Sequence, residues 1–336
     1  MISNRQRAKV AAALVISGLL LGACGDNGDD EFGIVVSGSS TVEPITALVR
    51  EDFIAIRGDV DVSVDGPGTG DGFKLFCAGQ TDISDASRPI KQAEAADCAA
   101  AGIEFIELKV GIDGISVIAP EESPIECLSF ADLYALIGPE SEGFDDWGDA
   151  HALATELGST AELPDANLVI TAPSSESGTY DSFVEIVIEP TFKARVEAGK
   201  LSEDDVVAAR ADYAANPDDN AIIEGVTADR GGLGWVGFAF ADQAEEIKLL
   251  SISAEPGGEC VAPTIESIQD SSYPISRDLY IYVNKAKAEA SPHLVDFVDF
   301  YLAGLEEFVL TSDYVPLADS AATVERWESR TVGAQA

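Results

Sequence analysis

Positive charge is what this 336-residue chain has least of: 20 Lys and Arg stand against 60 Asp and Glu, a formal net charge of −40. Such a surface repels nucleic acid and anionic lipid headgroups, so neither is expected as a partner. It also repels small anions at long range, so any anion site here must work through local donors. Histidine is scarcer still, with only His151 and His293, and neither adjoins a serine-rich turn in sequence. A serine without a base is a poor nucleophile. Gly-x-Ser-x-Gly and Ser-x-x-Lys signatures are missing, as is the Gly-x-x-x-x-Gly-Lys-Ser/Thr phosphate loop. An enzyme is therefore not expected, nor any cofactor, and ATP hydrolysis would have to belong to other subunits. With no Cys-x-x-Cys pair and two histidines, no metal site is expected either. The apolar run Val10 to Gly22 is too short to span a bilayer.

That run has another reading. Arg5, Arg7 and Lys9 precede it, and Leu21-Gly22-Ala23-Cys24 follows. A basic region, a short apolar region and small residues before a cysteine describe an export signal. The ending resembles a bacterial lipobox, which implies removal of residues 1–23 and a lipid on Cys24; a plain secretory cut near Ala23 is the alternative. Residues 24–31, Cys24-Gly25-Asp26-Asn27-Gly28-Asp29-Asp30-Glu31, then form a flexible tether. The lipid would be the chain's one attachment to the outer face of the cell membrane. Loss of the leader removes three positive charges and no negative ones, leaving −43. Four cysteines remain, Cys77, Cys98, Cys127 and Cys260. An even number in an exported chain favours two disulfides. Of the three possible connectivities, Cys77–Cys98 closes a local loop and Cys127–Cys260 pins two distant segments, and this is the pairing expected.

Three serine- or glycine-rich turns lead from an apolar strand-like run into a run with helical spacing. Ala172 to Phe183 contains Ser175, Ser177, Gly178 and Thr179 ahead of Tyr180, Phe183, Ile186 and Val187. Gly38-Ser39-Ser40-Thr41 follows the strand Phe32 to Ser37 and precedes a helix Ile45 to Ile56. Gly66 to Gly72 follows Val60 to Val64 and precedes Phe73 to Ala78. Free N–H groups and the helix dipole make such points natural anion sites, and glycine lets an oxyanion approach the backbone. Each turn alone reads equally as an ordinary helix cap; three in one chain point to a ligand.

Between these turns strands and helices alternate. Strands are expected at Thr81 to Ile90, Glu104 to Val110, Gly111 to Ala119, Gly231 to Phe240, Ile247 to Ile252 and Asp278 to Val283. Helices are expected at Lys91 to Ala101, Ser129 to Ile137, Thr191 to Ala198, Asp204 to Ala215, Asn220 to Ala228 and Pro292 to Leu310. The acidic segment Glu140 to Asp149 reads as a solvated loop or a docking face, and Trp147 and Trp235 as core residues or reporters of closure. Crossovers at Gly111 to Gly114 and just before Tyr273 give two α/β domains: residues 32–112 with 270–336, and residues 113–269. Ligands in such folds sit where the strand-to-helix turns gather.

Four stretches now resemble a known family. They are Ser37-Gly38-Ser39-Ser40-Thr41-Val42, Asp82-Ile83-Ser84-Asp85-Ala86-Ser87-Arg88-Pro89-Ile90, Ser175-Glu176-Ser177-Gly178-Thr179-Tyr180-Asp181 and Tyr273-Pro274-Ile275-Ser276-Arg277. In order and spacing they resemble substrate-binding proteins of bacterial phosphate ABC importers, which have the type II periplasmic-binding-protein fold. That resemblance implies two domains closing like a flytrap over a cleft, joined by two crossover hinge strands. It implies inorganic phosphate as ligand, ABC permease subunits as partners, an extracytoplasmic location and a monomer; a sulfate-like oxyanion, or a sensor or adhesion role, is the alternative. Carried over residue by residue, the donors are Ser39, Ser40 and Thr41, then Thr69 or Gly70, Ser87, and Ser177, Gly178 and Thr179. Two positions depart from the family. An arginine is usual four residues before the Ser-Gly-Thr serine, where this chain has Pro173. An acidic acceptor is usual two residues before the proline of the second stretch, where it has Ser87. Arg88 is the expected substitute for the guanidinium, its plain reading being a salt bridge to Asp85. The acceptor matters because a site made only of donors suits fully ionised sulfate, whereas phosphate keeps a proton near neutral pH. Ser87 or Asp85 would have to supply it.

Overall fold

The computed structural model describes residues 33–334; the leader, the tether and Cys24 lie outside them. Among the described residues eleven strands form: β1 (Gly33–Gly38), β2 (Asp61–Asp65), β3 (Ile83–Ala86), β4 (Phe105–Pro120), β5 (Cys127–Ser129), β6 (Val169–Pro173), β7 (Ala214–Asn216), β8 (Gly232–Gly237), β9 (Ile247–Leu249), β10 (Ser251–Ser253) and β11 (Ser276–Asn284). The helices that matter for the site are α1 (Glu43–Ile56), α2 (Thr69–Cys77), α3 (Gln92–Ala100), α4 (Phe130–Ile137), α5 (His151–Glu156), α6 (Gly178–Phe183), α7 (Glu189–Glu197) and α8 (Asp219–Thr227). None of the described helices is long and apolar enough to cross a membrane.

The main sheet runs β2-β1-β3-β11-β4-β8-β6-β7, with β9 also on β4. Two parallel blocks, β2-β1-β3 and β8-β6-β7, flank an antiparallel centre made by β11 and β4. β4 joins the lobes: Phe105 to Gly114 pair with β11, Ile115 to Ile118 with β8, and Ile118 to Pro120 with β9. The two strands expected at Glu104 to Val110 and Gly111 to Ala119 are therefore corrected to one continuous strand. Glycine is used there for packing, since a methyl on Gly114 would come within 2.7 Å of the Ile268 side chain.

Side-chain alternation on β11 shows how the first lobe is built. Leu279, Ile281 and Val283 join a core with Ile45, Val49 and Phe53 of α1, while Tyr280 and Tyr282 face Phe73 and Phe76 of α2. A separate core holds the second lobe, with Leu133 and Leu136 of α4, Phe183, Val187 and Trp235. Both disulfides form as expected, Cys77–Cys98 between α2 and α3, and Cys127–Cys260 across 133 residues of sequence. A loop of that length contributes of order 4–5 kcal/mol by restricting the unfolded chain.

Three other expectations are corrected. Asp204 to Ala215 is not helical. Ser202 N–H donates to the Asp205 carboxylate at 2.7 Å and the Ser202 hydroxyl accepts from Asp204 N–H at 3.2 Å, local bonds that compete with helix formation. Pro292 to Leu310 breaks at Gly304 into Pro292–Ala303 and Leu305–Thr311. Ile247 to Ile252 divides between β9 and β10, which pair with different partners, β4 and β5. The acidic segment is also anchored rather than merely solvated: Arg195 donates to Glu140 at 2.7 Å, and the buried Trp147 donates Nε1 to Gly231 O at 3.0 Å.

Candidate anion-binding site

The turns at Gly38 to Thr41 and at Gly66 to Gly72 are pressed together by glycine. A Cβ on Gly72, in α2, would lie 2.4 Å from Gly38 Cα, at the end of β1. Gly68 N–H donates to Gly38 O at 2.7 Å. This close backbone approach brings the N-terminus of α2 alongside the turn Ser39-Ser40-Thr41. That turn is itself tied down: Ser39 N–H donates to Asp85 O at 2.9 Å, and the Ser39 hydroxyl accepts from Thr41 N–H at 3.2 Å. Ser39 thus serves the turn internally.

The second lobe meets this turn directly. Ser40 donates its hydroxyl to Asp181 at 3.0 Å, and Thr41 lies 3.4 Å from the Ser182 hydroxyl. A methyl on Gly178 would reach to 3.5 Å of both Ser40 O and Thr41 Cα. Ser177 caps α6, accepting from Thr179 N–H at 3.2 Å, so the plain helix-cap reading holds for Ser177. Ser40, Thr41, Ser177, Gly178 and Thr179 therefore gather where the lobes touch.

Thr69, Gly70, Ser87 and Arg88 gather beside them, along a cleft of about 520 Å³ also lined by Lys91, Glu185, Lys193 and Arg277. Thr69 and Ser87 share a hydroxyl–hydroxyl bond at 3.1 Å, and Thr69 Oγ1 accepts from Ser87 N–H at 3.2 Å. Both are buried. Arg88 does not pair with Asp85, as its plain reading had it. It makes a two-pronged ion pair with Glu94, at 2.7 and 2.8 Å, and lies over the Phe73 ring. Its guanidinium is thus matched by a carboxylate of its own lobe while still facing the cleft. Asp85 lies fully buried beneath the first turn. Burial pushes its carboxyl up to about 7, with Thr46 opposing in part and Glu43 and Asp65 adding to the rise.

The residue that joins the two groups is Arg277. Arg277 on β11 is the register partner of Asp113 on β4, so both side chains leave the central strands on the same face. Nε points at Asp113 at 3.4 Å, Nη2 donates to Thr41 Oγ1 at 2.8 Å and to Ser182, and Nη1 pairs with Glu185. Ser182 in turn donates to Asp113 at 2.5 Å. Asp113 is 3% exposed, and burial raises its carboxyl above the ordinary range against the pull of Arg277. The sequence reading singled out the stretch ending in Arg277 but gave that side chain no role. At Pro173, buried in β6 and accepting from Tyr213 at 2.6 Å, no cation is available. The guanidinium that meets the turn at Thr41 is that of Arg277, on β11.

Two lobes carried on one sheet, two crossover strands and a polar cleft between strand-to-helix turns define a type II periplasmic-binding-protein fold. The comparisons agree. The chain belongs to the PBP superfamily, whose domain profile matches residues 14–304. Protein SphX of Synechocystis sp. is 34% identical over 95% of this chain and 88% of its own length. Phosphate-binding protein PstS of Staphylococcus saprophyticus is 32% identical over 84% of this chain and 82% of its own. Among solved structures, a possible phosphate binding protein from Planctomyces limnophilus is 31% identical and superposes with a TM-score of 0.77, covering 89% of this chain and 98% of that one.

Proposed function

We propose that the protein is an extracytoplasmic receptor that binds inorganic phosphate between its lobes and delivers it to an ABC permease. The observation that carries this reading is Arg277, a cation 11% exposed in its side chain, which donates to the hydroxyls of Thr41 and Ser182 and lines the same cleft between the lobes as Thr69 and Ser87. Hydrogen bonds to a buried anion are charge-assisted, so several such donors can offset its lost hydration. The relatives named for phosphate binding support the same ligand. In this reading residues 32–112 and 270–336 form one domain and 113–269 the other, with β4 and β11 as hinges. Ser40, Thr41, Thr69, Gly70, Ser87, Arg88 and the Ser177-Gly178-Thr179 turn surround the ion, with Arg277 as its main charge partner. Residues 1–23 are removed, Cys24 carries a lipid, and residues 24–31 hold a monomeric receptor off the membrane. Closure gives the permease a shape to recognise.

The test is calorimetric titration of the unlipidated residues 25–336, stripped of carried-over anion, with phosphate and with sulfate. Micromolar or tighter phosphate binding is the expected result. A response to neither ion would overturn the receptor reading.

A further inference from the structure

An anion site that distinguishes phosphate from sulfate needs an acceptor facing the ion, and a carboxylate both accepts and repels a proton-free ion; position 87 holds a serine, engaged with Thr69 through its hydroxyl and its N–H. Three carboxylates surround Arg277, and they are not equivalent. Asp113 is buried, with Oδ2 already receiving Ser182 and Arg277 Nε. Asp181 is half-buried and receives the Ser40 hydroxyl. Glu185 lines the cleft, has a side chain 55% exposed, and meets Arg277 at Nη1, the prong that points away from Thr41, Ser182 and Asp113. We propose that Glu185 is the residue that selects an oxyanion carrying a proton over a fully ionised one. The proposal rests on the receptor reading above and extends it to ligand selection.

The local backbone supports it independently. α6 does not continue directly into α7; Val184–Ile188 form a π-helical turn between them. One extra residue per turn re-aims the side chains around it, and such insertions concentrate at functional sites. Glu185 occupies this turn, while Val184, Val187 and Ile188 are buried. The turn therefore holds Glu185 out toward the cleft, beside the half-buried Ile186, and keeps Val184, Val187 and Ile188 in the core.

The charge balance follows. Arg277 is flanked by Asp113 and Glu185, and the charge of Glu185 raises the proton affinity of both Asp113 and Asp181. One guanidinium thus sits inside a field of three carboxylates. A proton-free dianion approaching Nη1 meets Glu185 with nothing to offer it but repulsion. Hydrogen phosphate accepts from Arg277 through one oxygen and donates its own P–O–H to Glu185 through another, so the same carboxylate becomes a partner. No proton needs to change owner.

The experiment is parallel titration of wild type and Glu185→Gln with phosphate and sulfate at one pH. Glu189→Gln, one turn further along the same cleft wall, serves as the control. Glutamine keeps the shape and can still accept a hydrogen bond, but it removes the charge that repels a proton-free ion. The expected result is a phosphate-to-sulfate preference that falls about tenfold or more in Glu185→Gln, with sulfate gaining and phosphate not. Glu189→Gln is expected to keep the wild-type preference. Three results overturn the proposal: both anions tightening by the same factor, which would make Glu185 only a competitor for Arg277; an unchanged preference; or an equal change in Glu189→Gln. Wild-type protein that binds neither ion would instead overturn the receptor reading and this proposal with it.

Discussion

Arg277 reaches Thr41, Ser182 and Glu185 because of what lies behind it. Asp113 accepts from Nε and from Ser182, so the guanidinium plane is fixed before any anion arrives. Replacing Arg277 by lysine keeps a charge but loses the fork, and phosphate affinity is expected to fall about ten- to a hundredfold. Arg88→Lys is expected to cost much less, because Arg88 is already matched by Glu94; titration of both variants ranks the two. Sequence could not make this distinction. Arg88 stands beside a motif and invites a role, whereas the role of Arg277 depends on its register with Asp113, 164 residues away. Asp85 shows the same limit from another side: its motif is legible, its burial is not. With its carboxyl near 7 in the fold and 3.8 ordinarily, the folded state holds a proton that the unfolded chain releases across that window. The favourable contribution is complete below about pH 4 and lost as pH rises through 7, about 4 kcal/mol in all. Asp85→Asn should flatten that part of the dependence, seen as a difference between the urea midpoints of wild type and variant that changes between about pH 4 and pH 7.

Turns were the most legible elements, because glycine, serine and helical spacing are local signals. Continuity between elements was less so. Glu104 to Val110 and Gly111 to Ala119 read as two strands, but they form one, β4, in which Val309 and Ile268 pack against Gly111 and Gly114. The helix expected at Asp204 to Ala215 has apolar spacing, yet Arg210 is drawn into the core by Phe144 O and Asp212. Phe144 lies 66 residues away in sequence, so that pull is not a local signal. The contact of α2 with β1 is the element-level feature on which the site depends. Any side chain at Gly72 must displace the backbone at Gly38 or lift α2. Gly72→Ala is expected to lose about 1–3 kcal/mol of stability. It should also weaken phosphate binding, because Thr69 and Gly70 retreat from the Ser39-Ser40-Thr41 turn. Urea unfolding and titration of the same preparation check both. A stable variant with unchanged affinity would show that α2 does not need this approach.

Over the whole molecule, charge and function pull in opposite directions. A chain with 60 acidic and 20 basic residues repels the anion proposed as its ligand. Within the cleft this is locally reversed: Lys91 comes from the first lobe and Lys193 from the second, with Arg88 and Arg277 deeper in. Even there the reversal is partial, since Lys193 pairs with Glu189 and Arg88 with Glu94. The two contributions act over different distances. The repulsion is summed over the surface and is screened by salt, its reach falling from about 30 Å at 0.01 M to about 8 Å at 0.15 M. The donors at Arg277 act at contact and in a site that salt screens much less. Raising ionic strength should therefore remove more repulsion than attraction. Phosphate association is expected to accelerate by a few-fold between 0.01 and 0.15 M salt, the reverse of an anion steered into a basic cleft. Stopped-flow fluorescence can follow it, because Trp235 is stacked on Phe183, directly before the turn that carries Glu185, with ring centroids 4.3 Å apart. Association that slows with salt would mean that the four cleft cations outweigh the acidic surface at the distance where the ion is captured.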